Sequence, residues 1–477
     1  MAPRREIDDL IPSPENDGNV NGSRDDATRT KQITDDAKNT DSKHPIRPPI
    51  LSTTTTLCIL VMIDMFSVSL VVPLLHEYYK NAGVHSASQR EMLSSLYSSS
   101  QIAGGLIIGA LSDVGMLSRR RILFLSFLGS ALSYALIVVG GLRNLIISRV
   151  LVGLVKQTMT VSTSLLARHT TSETRAVSMG RLGASTTVAW IVGPSVGALL
   201  YKHVGPSAPA LTASGMFLLN SALAAILLPA DDESVEINKM AKRSGSKKGG
   251  KFTSFTSNLK TCFSSSALAS VVVSLLLFGW VTRTTSYANM ASFYEEKYGI
   301  EPHYRGYIKS YQQFLNFLVQ SFLVRALLSA SGGERKAACI AAVVLAGATL
   351  CEVTANFGVF VSIVCPLVAV AVGTIGVSLR SLVTQVTPKE SIGSVLAALD
   401  VLQNAASVTV PFYRTLLFNI AAHYGPKDAD ALMVGDPEPR IWLLSSFLHW
   451  SVFAIGIALL LSPAFSSRGR DVHKKNK

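Results

Sequence analysis

Charged residues are scarce in this chain of 477 residues, because Asp, Glu, Lys and Arg together make up only 16% of it. An average soluble domain carries about a quarter charged residues. Hydrophobic residues reach 48%, and they come in blocks of roughly twenty, which is the number that spans the hydrocarbon core of a bilayer. The composition therefore argues against a string of soluble domains and predicts an all-α polytopic membrane protein.

Cysteine is also sparse, and its spacing excludes several classes of protein. The five cysteines are scattered, and no two form a C-x-x-C pair. We interpret them as small buried hydrophobic residues rather than as a disulfide framework or a metal site. The sequence also shows no nucleophile–base pair and no cluster of metal-ligand residues, so we expect neither an enzyme nor a bound metal or cofactor. The cysteines are Cys58, Cys262, Cys339, Cys351 and Cys365.

The net charge of +13 does not require a nucleic-acid partner. Most of the excess lies in tails and loops beside apolar spans, where a membrane orientation explains it. A nucleotide site is not expected either. Gly245, Gly250 and Lys251 have the spacing of a phosphate-binding loop, but Phe252 follows the lysine where Ser or Thr is needed, and no strand precedes the loop.

Twelve apolar spans divide the chain into two sets of six around a long basic break. We predict a disordered tail over 1–48, a six-helix bundle over 49–228, a basic linker over 229–264, a second bundle over 265–463 and a basic tail over 464–477. The predicted spans are 57–75, 93–111, 122–142, 145–166, 179–200, 208–228, 267–288, 307–328, 337–355, 359–379, 395–418 and 441–461.

Lysine and arginine indicate the orientation in the membrane. An even number of spans places both termini on one side, and the loops on that side carry more than twice as many Lys and Arg residues as the opposite loops. Cytosolic loops are enriched in these residues. We therefore predict that both termini, and the linker, are cytosolic.

The two sets of spans also resemble each other. Pro194 in span 5 has a counterpart 217 positions later, Pro411 in span 11. Spans 1 and 7 both end in a short stretch that combines tyrosine, glutamate and lysine. Repeated halves of this kind are typical of transporters that rock around a central site.

Four motifs resemble those of the major facilitator superfamily, over residues of about 50–465. The loop after span 2 runs from Gly109 through Asp113 to Arg119 and Arg120, and it is similar to the family's signature loop. The resemblance implies a cytosolic charge network that latches the two halves. Val114 stands where the family has a basic residue, and the arginines come about two positions late, so the latch is expected to be altered.

The other three motifs lie in spans 1, 4 and 5. Asp64 and Pro73 are spaced as in the first helix of tetracycline/proton antiporters, and Arg149 and Gly153 resemble the family's Arg-x-x-x-Gly. The stretch Gly193-Pro194-Ser-Val-Gly197 is similar to one found chiefly in antiporters, where it limits leak. At a finer level the chain looks like animal orphan carriers related to solute carrier family 22 member 18 and facilitator-superfamily domain-containing protein nine.

The resemblance implies proton-coupled antiport of a small organic solute by alternating access, with the proton as the coupling ion. The alternative is a non-transporting receptor or scaffold that retains the transporter fold. We expect a monomer in the lipid bilayer whose partner is a small molecule, with no nucleic acid or nucleotide.

Several ionisable residues lie inside the predicted spans, where each needs a partner or an aqueous cavity. Asp64 and Lys156 fall at similar depth on spans that the resemblance places beside the central cavity. They are either a proton-exchanging pair or a permanent structural ion pair. Arg149 and Arg283 either face the transported species or extend to the membrane interface. Arg380 and Asp400 either pair as part of a cytosolic gate or form a local salt bridge, and Arg414 is expected at the interface.

The N-terminal tail contains a candidate sorting signal. Glu6, Leu10 and Ile11 fit the acidic dileucine-type pattern that endolysosomal adaptors bind. We therefore expect the plasma membrane or an endolysosomal membrane.

Overall fold

The computed structural model of the protein describes residues 52–113, 118–168, 170, 172–228, 262–285, 290–387, 392–424 and 438–462. Throughout these residues the secondary structure is helical, with no strand. The helix α4 is interrupted and consists of Leu142–Val155 and Thr158–Arg168, and α7 is described over Ser266–Thr285 and Met290–Tyr298. The other long helices are α1 Thr53–Asn81, α2 Ala87–Asp113, α3 Arg119–Val139, α5 Ser172–His203, α6 Ala208–Leu227, α8 Pro302–Ala330, α9 Glu334–Thr354, α10 Phe357–Val386, α11 Ile392–Tyr424 and α12 Pro439–Leu460.

Ten helices in the described part of the chain are long and apolar enough to cross a membrane. The helices α2 and α11, of 27 and 33 residues, occupy the places of predicted spans 2 and 11. The all-α polytopic fold predicted from the sequence is therefore confirmed. The predicted tails and most of the linker fall outside the described residues, and the predicted domain boundaries stay predictions.

Polar side chains satisfy main-chain groups where helices begin. Ser52 accepts a hydrogen bond from the Thr55 amide at 3.3 Å at the start of α1. Asn356 accepts one from the Val359 amide at 2.9 Å at the start of α10. Such caps matter because the first amides of a helix have no partner within it. In hydrocarbon, all the remaining main-chain groups must be satisfied within the protein.

The first six helices and the last six each have their own buried core. One cluster, which includes Leu57, Phe127 and Phe217, draws all its members from residues 57–228. Three further clusters draw all their members from residues 262–461. We call the two groups of helices the N-half and the C-half. Because neither core crosses between them, the halves can move relative to each other without exposing either core.

The helix ends lie on two membrane faces. We call the face on which α6 ends and α7 begins the linker face, and the other the opposite face. The helix α1 begins on the linker face, and α12 ends on it.

Three local features differ from the predictions. Predicted span 4 was continuous, but α4 is broken at Lys156 and Gln157. The helix α11 continues to Tyr424, past the predicted end at 418, because a helix can extend beyond the hydrocarbon into the polar region. Two π-helical turns, Val319–Leu323 and Phe360–Val364, lie within α8 and α10. Turns of this kind are frequent at functional sites.

Candidate functional site

Asp64 of α1 and Lys156 of α4 form an ion pair in the interior of the N-half. Lys156 Nζ lies 2.8 Å from Asp64 Oδ1, and the side chains are 12% and 0% exposed. The same ammonium lies 4.9 Å from the centre of the Phe217 ring. The second carboxylate oxygen, Oδ2, has no hydrogen-bond partner within the described structure. The predicted pairing of these two residues is therefore present in the structure, whereas a role in proton exchange stays a prediction.

The ion pair coincides with the break in α4. Lys156 adopts φ −77° and ψ 82°, which is not helical, and the Gln157 amide bonds the Val155 carbonyl at 2.9 Å. The Gln157 side chain donates to the Gln101 carbonyl of α2 at 3.2 Å. Discontinuous helices of this kind form substrate and ion sites in several transporter folds. The break therefore places Lys156 where the backbone is not helical, so that main-chain polar groups beside it are not all paired within the helix.

Glycines of the neighbouring helices make room for this irregular backbone. A Cβ atom at Gly104 of α2 would overlap the carbonyl of Leu154. A Cβ at Gly129 of α3 would lie 2.7 Å from a methyl carbon of Val155. Larger residues at either position would push against the break, so the shape of α4 depends on α2 and α3.

Arg149 lies about two turns before the break and points into the N-half. It is 9% exposed and lines a cavity of about 190 Å³ together with Lys156 and Arg90. Tyr79, Tyr97 and Tyr134 line the same cavity. Of the two alternatives for Arg149, the structure therefore shows the interior position.

Three other charged residues predicted inside the spans, Arg283, Arg380 and Asp400, are either exposed or have undescribed side chains. Arg283 is exposed, and its guanidinium lies 3.5 Å from the Gln403 carbonyl of α11. Arg380 is exposed on α10. Asp400 lies within α11, but its side chain is outside the described residues, so pairing of Arg380 with Asp400 stays a prediction.

The signature loop after α2 is described only in part. The side chains of Gly109 and Asp113 are outside the described residues. Arg119 begins α3, and Arg120 donates a hydrogen bond to the Ala225 carbonyl of α6. This bond is within the N-half, so a latch between the halves through this loop stays a prediction. The sorting residues Glu6, Leu10 and Ile11 also lie outside the described residues.

The Gly193-Pro194-Gly197 stretch of α5 packs between the two halves. Cβ atoms at Gly193 and Gly197 would overlap Ser69 and the Leu70 carbonyl of α1. A Cβ at Gly306 of α8 would overlap the Pro194 carbonyl. The glycines therefore hold α5 against α1, and the proline meets a glycine of the C-half.

A hydrogen bond extends this contact. Ser195 donates through its amide to Ser310 Oγ of α8 at 3.0 Å, and the two hydroxyls lie 2.8 Å apart. Sequence reasoning identified the α5 motif but not its partners Gly306 and Ser310.

A buried ion-pair cluster joins the halves at the opposite face. Arg305 of α8 bonds Glu77 of α1 at 2.8 Å and Glu295 of α7 at 2.6 Å. Lys80 of α1 also reaches Glu295, at 3.3 Å. Arg305 is only 2% exposed. Sequence reasoning counted Arg305 and Lys80 as loop cations and missed the cluster.

A second pair lies on the same face. Arg414 of α11 is 4% exposed, and its guanidinium lies 3.1 Å from Glu91 Oε1 of α2. Arg414 is therefore buried against Glu91 inside the protein and does not extend to water, whereas its position at the membrane interface stays a prediction. The two ion-pair sites, the Ser195–Ser310 bond and the Gly306 contact all lie toward the opposite face, where the structure is closed.

His76 adds a buried imidazole to the first cluster. It is 1% exposed, and its ring nitrogens lie with carboxylate oxygens of Glu77 and Glu295 within 4.8 Å of one another. Metal ions use such groups. Here, however, both carboxylates already bond Arg305, whose positive charge takes the place that a cation would need.

Three comparisons relate the chain to known proteins. The family model of the Major Facilitator Superfamily matches residues 57–411. The class D tetracycline resistance protein of Salmonella ordonez is 31% identical over 161 residues, which cover 33% of this chain and 40% of that protein. Major facilitator superfamily domain-containing protein 10 of Mus musculus is 31% identical over 116 residues, or 24% of this chain and 25% of that one. The chain thus matches less than half the length of either relative.

Among solved structures, a bacterial homolog of the human lysosomal transporter Spinster, in an inward-facing and unoccupied conformation, superposes with a TM-score of 0.65. It covers 86% of this chain and 96% of its own, at 11% identity. At that identity the likeness shows the fold alone.

Proposed function

The chain belongs to the Major Facilitator Superfamily, and from this premise we propose that it is a secondary active transporter that exchanges a small organic solute for protons. Its family and fold are those of transporters, not of enzymes. The likeness to tetracycline resistance proteins supports the antiport mode, as do the motifs in α1 and α5. The finer likeness to animal orphan carriers stays a prediction.

The single observation that carries the proposal is the Asp64–Lys156 pair at the break in α4. A charged side chain inside the membrane costs about 2.5–3.5 kcal/mol on insertion scales, so such pairs are seldom kept without a function. Asp64 Oδ2 has no hydrogen-bond partner among the described residues, and it is therefore the oxygen open to a proton. Protonation would neutralise Asp64 and release Lys156, which loosens the contact between α1 and α4.

The direction of the cycle follows from the orientation. We propose that the linker face is cytosolic, as the Lys and Arg bias predicts. Arg90 and Arg305, near the opposite-face ends of α2 and α8, are 2% exposed, so neither is an exposed loop cation of that face. With this orientation, a structure closed at the opposite face fits the inward-facing or the occluded state of the proposed cycle.

Alternating access requires that the linker face close when the opposite face opens. We assign that closure to the signature loop, with Gly109, Asp113, Arg119 and Arg120, and to Arg380 with Asp400. The ion pairs of Arg305 and Arg414 would then break in the outward-facing state.

The remaining properties follow the sequence. We propose a monomer that uses the proton as coupling ion and needs no other cofactor, and whose partners are the solute and the bilayer. The membrane is the plasma membrane or an endolysosomal one.

A non-transporting receptor or scaffold with this fold is the competing hypothesis. The test is uptake and efflux of a mixed metabolite panel by the full-length protein in proteoliposomes, with and without a pH gradient. Solute movement that depends on the gradient and is lost in Asp64→Asn supports the proposal. Binding of a metabolite without any movement across the bilayer would favour the receptor.

A further inference from the structure

Four acidic side chains are at most 9% exposed in the described part of the chain, and three of them have a cationic partner. Asp64 pairs with Lys156, Glu77 with Arg305 and Glu91 with Arg414, all at 3.1 Å or less. The fourth is Glu352 of α9, which is 8% exposed. No described cation lies within ion-pair distance of its carboxylate. A buried carboxylate without a partner is costly, so Glu352 needs an explanation.

Lys297 is close enough to attract the Glu352 carboxylate, but it does not bond it. The ammonium of Lys297 donates to the main-chain carbonyls of Glu352 and Val353, the latter at 3.2 Å. It also stands 5.3 Å from the centre of the Tyr298 ring. Its hydrogen bonds are therefore made to the backbone of α9 and not to the carboxylate.

Glu352 lines a cavity of about 180 Å³ inside the C-half, between α7, α9, α10 and α12. Four residues with hydroxyl groups, three aromatic residues and four aliphatic residues form the rest of the wall. The hydroxyls can accept hydrogen bonds, and the faces of aromatic rings carry partial negative charge. The hydroxyl and aromatic residues are Thr282, Thr285, Thr349, Ser446, Phe293, Trp442 and Trp450, and the aliphatic residues are Leu345, Val368, Val372 and Leu443.

This set of groups favours one chemical class of ligand. An anion would be repelled by Glu352, and a neutral solute would bring no positive charge into the cavity, whose lining residues include no cation. A carboxylate beside aromatic rings is an arrangement that suits ammonium groups. We infer that this cavity binds the ammonium group of a small organic cation.

The inference rests on the proposed function in one respect, because an organic cation exchanged for one proton moves no net charge across the bilayer. A cation and a proton cannot both be held by the same carboxylate, and the structure provides separate ones. Glu352 lies near the opposite-face end of α9, which ends at Thr354, whereas Asp64 lies in the N-half. The proton and the solute would thus be bound in different halves.

The test is a titration of the full-length protein in detergent with tetramethylammonium, followed by tryptophan fluorescence. Trp442 and Trp450 are two of the four tryptophans, so binding in the cavity should change the emission. tert-Butanol serves as an uncharged probe of similar size. We expect saturable binding of the cation only, and Glu352→Gln should weaken it roughly tenfold to a hundredfold, because it removes the negative charge that attracts the cation.

Two controls make the result specific. Glu301→Gln removes the same charge from an exposed side chain and should bind as wild type does. Ser446→Leu fills the cavity while keeping Glu352, and it tests the site if Glu352→Gln does not fold. No saturable binding to the wild type, or unchanged binding to both cavity variants, would overturn the cation site. Because the binding assay uses no gradient, its failure leaves the proton-coupling proposal standing. Likewise, a failure of the transport assay leaves the cation site standing.

Discussion

Arg305 of α8 bonds Glu77 of α1 at 2.8 Å, although the two residues are 228 positions apart in the chain. The guanidinium is 2% exposed and also holds Glu295 of α7. One arginine therefore ties the first helix of the N-half to two helices of the C-half. Removing one partner of a buried pair typically costs about 3–5 kcal/mol, because the other charge stays buried without compensation.

Glu77→Gln should therefore open the opposite face more often. Arg305 keeps Glu295, so we expect the fold to survive while the closed state loses stability. The measurement is the labelling rate of a cysteine at Ser310 by a membrane-impermeant maleimide, in a background without the five native cysteines. A loss of about 1.4 kcal/mol in the closed state gives a tenfold faster rate.

Glu301→Gln is the matched control, because that side chain is 71% exposed. It should label at the parental rate. Equal rates for both variants would show that the ion pair does not hold this face closed.

Sequence reasoning predicted the spans well and the irregular backbone poorly. Hydropathy identifies the spans because each helix must bury its main chain in hydrocarbon. The break in α4 leaves no such mark, because Leu142–Leu166 is still apolar as a whole. Its shape depends on Gly104 and Gly129, which belong to other helices.

Of the candidate site, one ion pair could be predicted from the sequence and two could not. Asp64 and Lys156 could be paired because their depths follow from the span ends and the helical rise. The partners of Arg305 and Arg414 could not be predicted, because Glu77 and Glu91 come from the other half of the chain. A charge at the edge of a span has the same pattern whether it extends to water or meets a buried partner.

Gly104→Ala should destabilise the N-half at the α4 break. The new Cβ would overlap the Leu154 carbonyl, a main-chain atom that cannot rotate away. Overpacking of this kind costs about 1–3 kcal/mol. Thermal unfolding in detergent measures the loss, and Gly215→Ala is the control because its Cβ would meet open space. An unchanged melting temperature in Gly104→Ala would mean that α4 can move away without cost.

Epitope tags test the orientation. Tags at either terminus and in the 229–264 linker should bind antibody only after the cells are permeabilised. A tag after Lys80 should bind on intact cells, or from the lumen if the protein is intracellular. Labelling of the linker and of the 421–440 segment from the same side would contradict the twelve-span topology.

The sorting hypothesis is tested at the N-terminal tail. Changing Leu10 and Ile11 to Ala removes the two apolar residues of the signal, and the protein should move from acidic organelles to the cell surface. Imaging with organelle markers measures the shift. The control is a change of Ile7 to Ala, because Ile7 occupies a variable position of the pattern. An unchanged distribution would remove the endolysosomal proposal without affecting the transport proposal.

Asp64 and Lys156 allow the sharpest test, because the two alternatives for the pair make opposite predictions. Asp64→Asn keeps the size of the side chain and removes its titratable group. It should abolish transport driven by a pH gradient in proteoliposomes, while solute exchange without a gradient is partly retained. Lys156→Ala should instead reduce the folded yield, since it leaves a buried carboxylate without its cation at a cost of about 3–5 kcal/mol.

The reversed pair, Asp64→Lys with Lys156→Asp, separates structure from coupling. It restores one charge of each sign at this depth, so folding should recover relative to Lys156→Ala. The carboxylate would then be on α4, at the break, and no longer on α1, where protonation is proposed to act. We therefore expect folded protein that does not respond to a pH gradient. Full recovery of gradient-driven transport, or normal coupling in Asp64→Asn, would identify the pair as a structural ion pair.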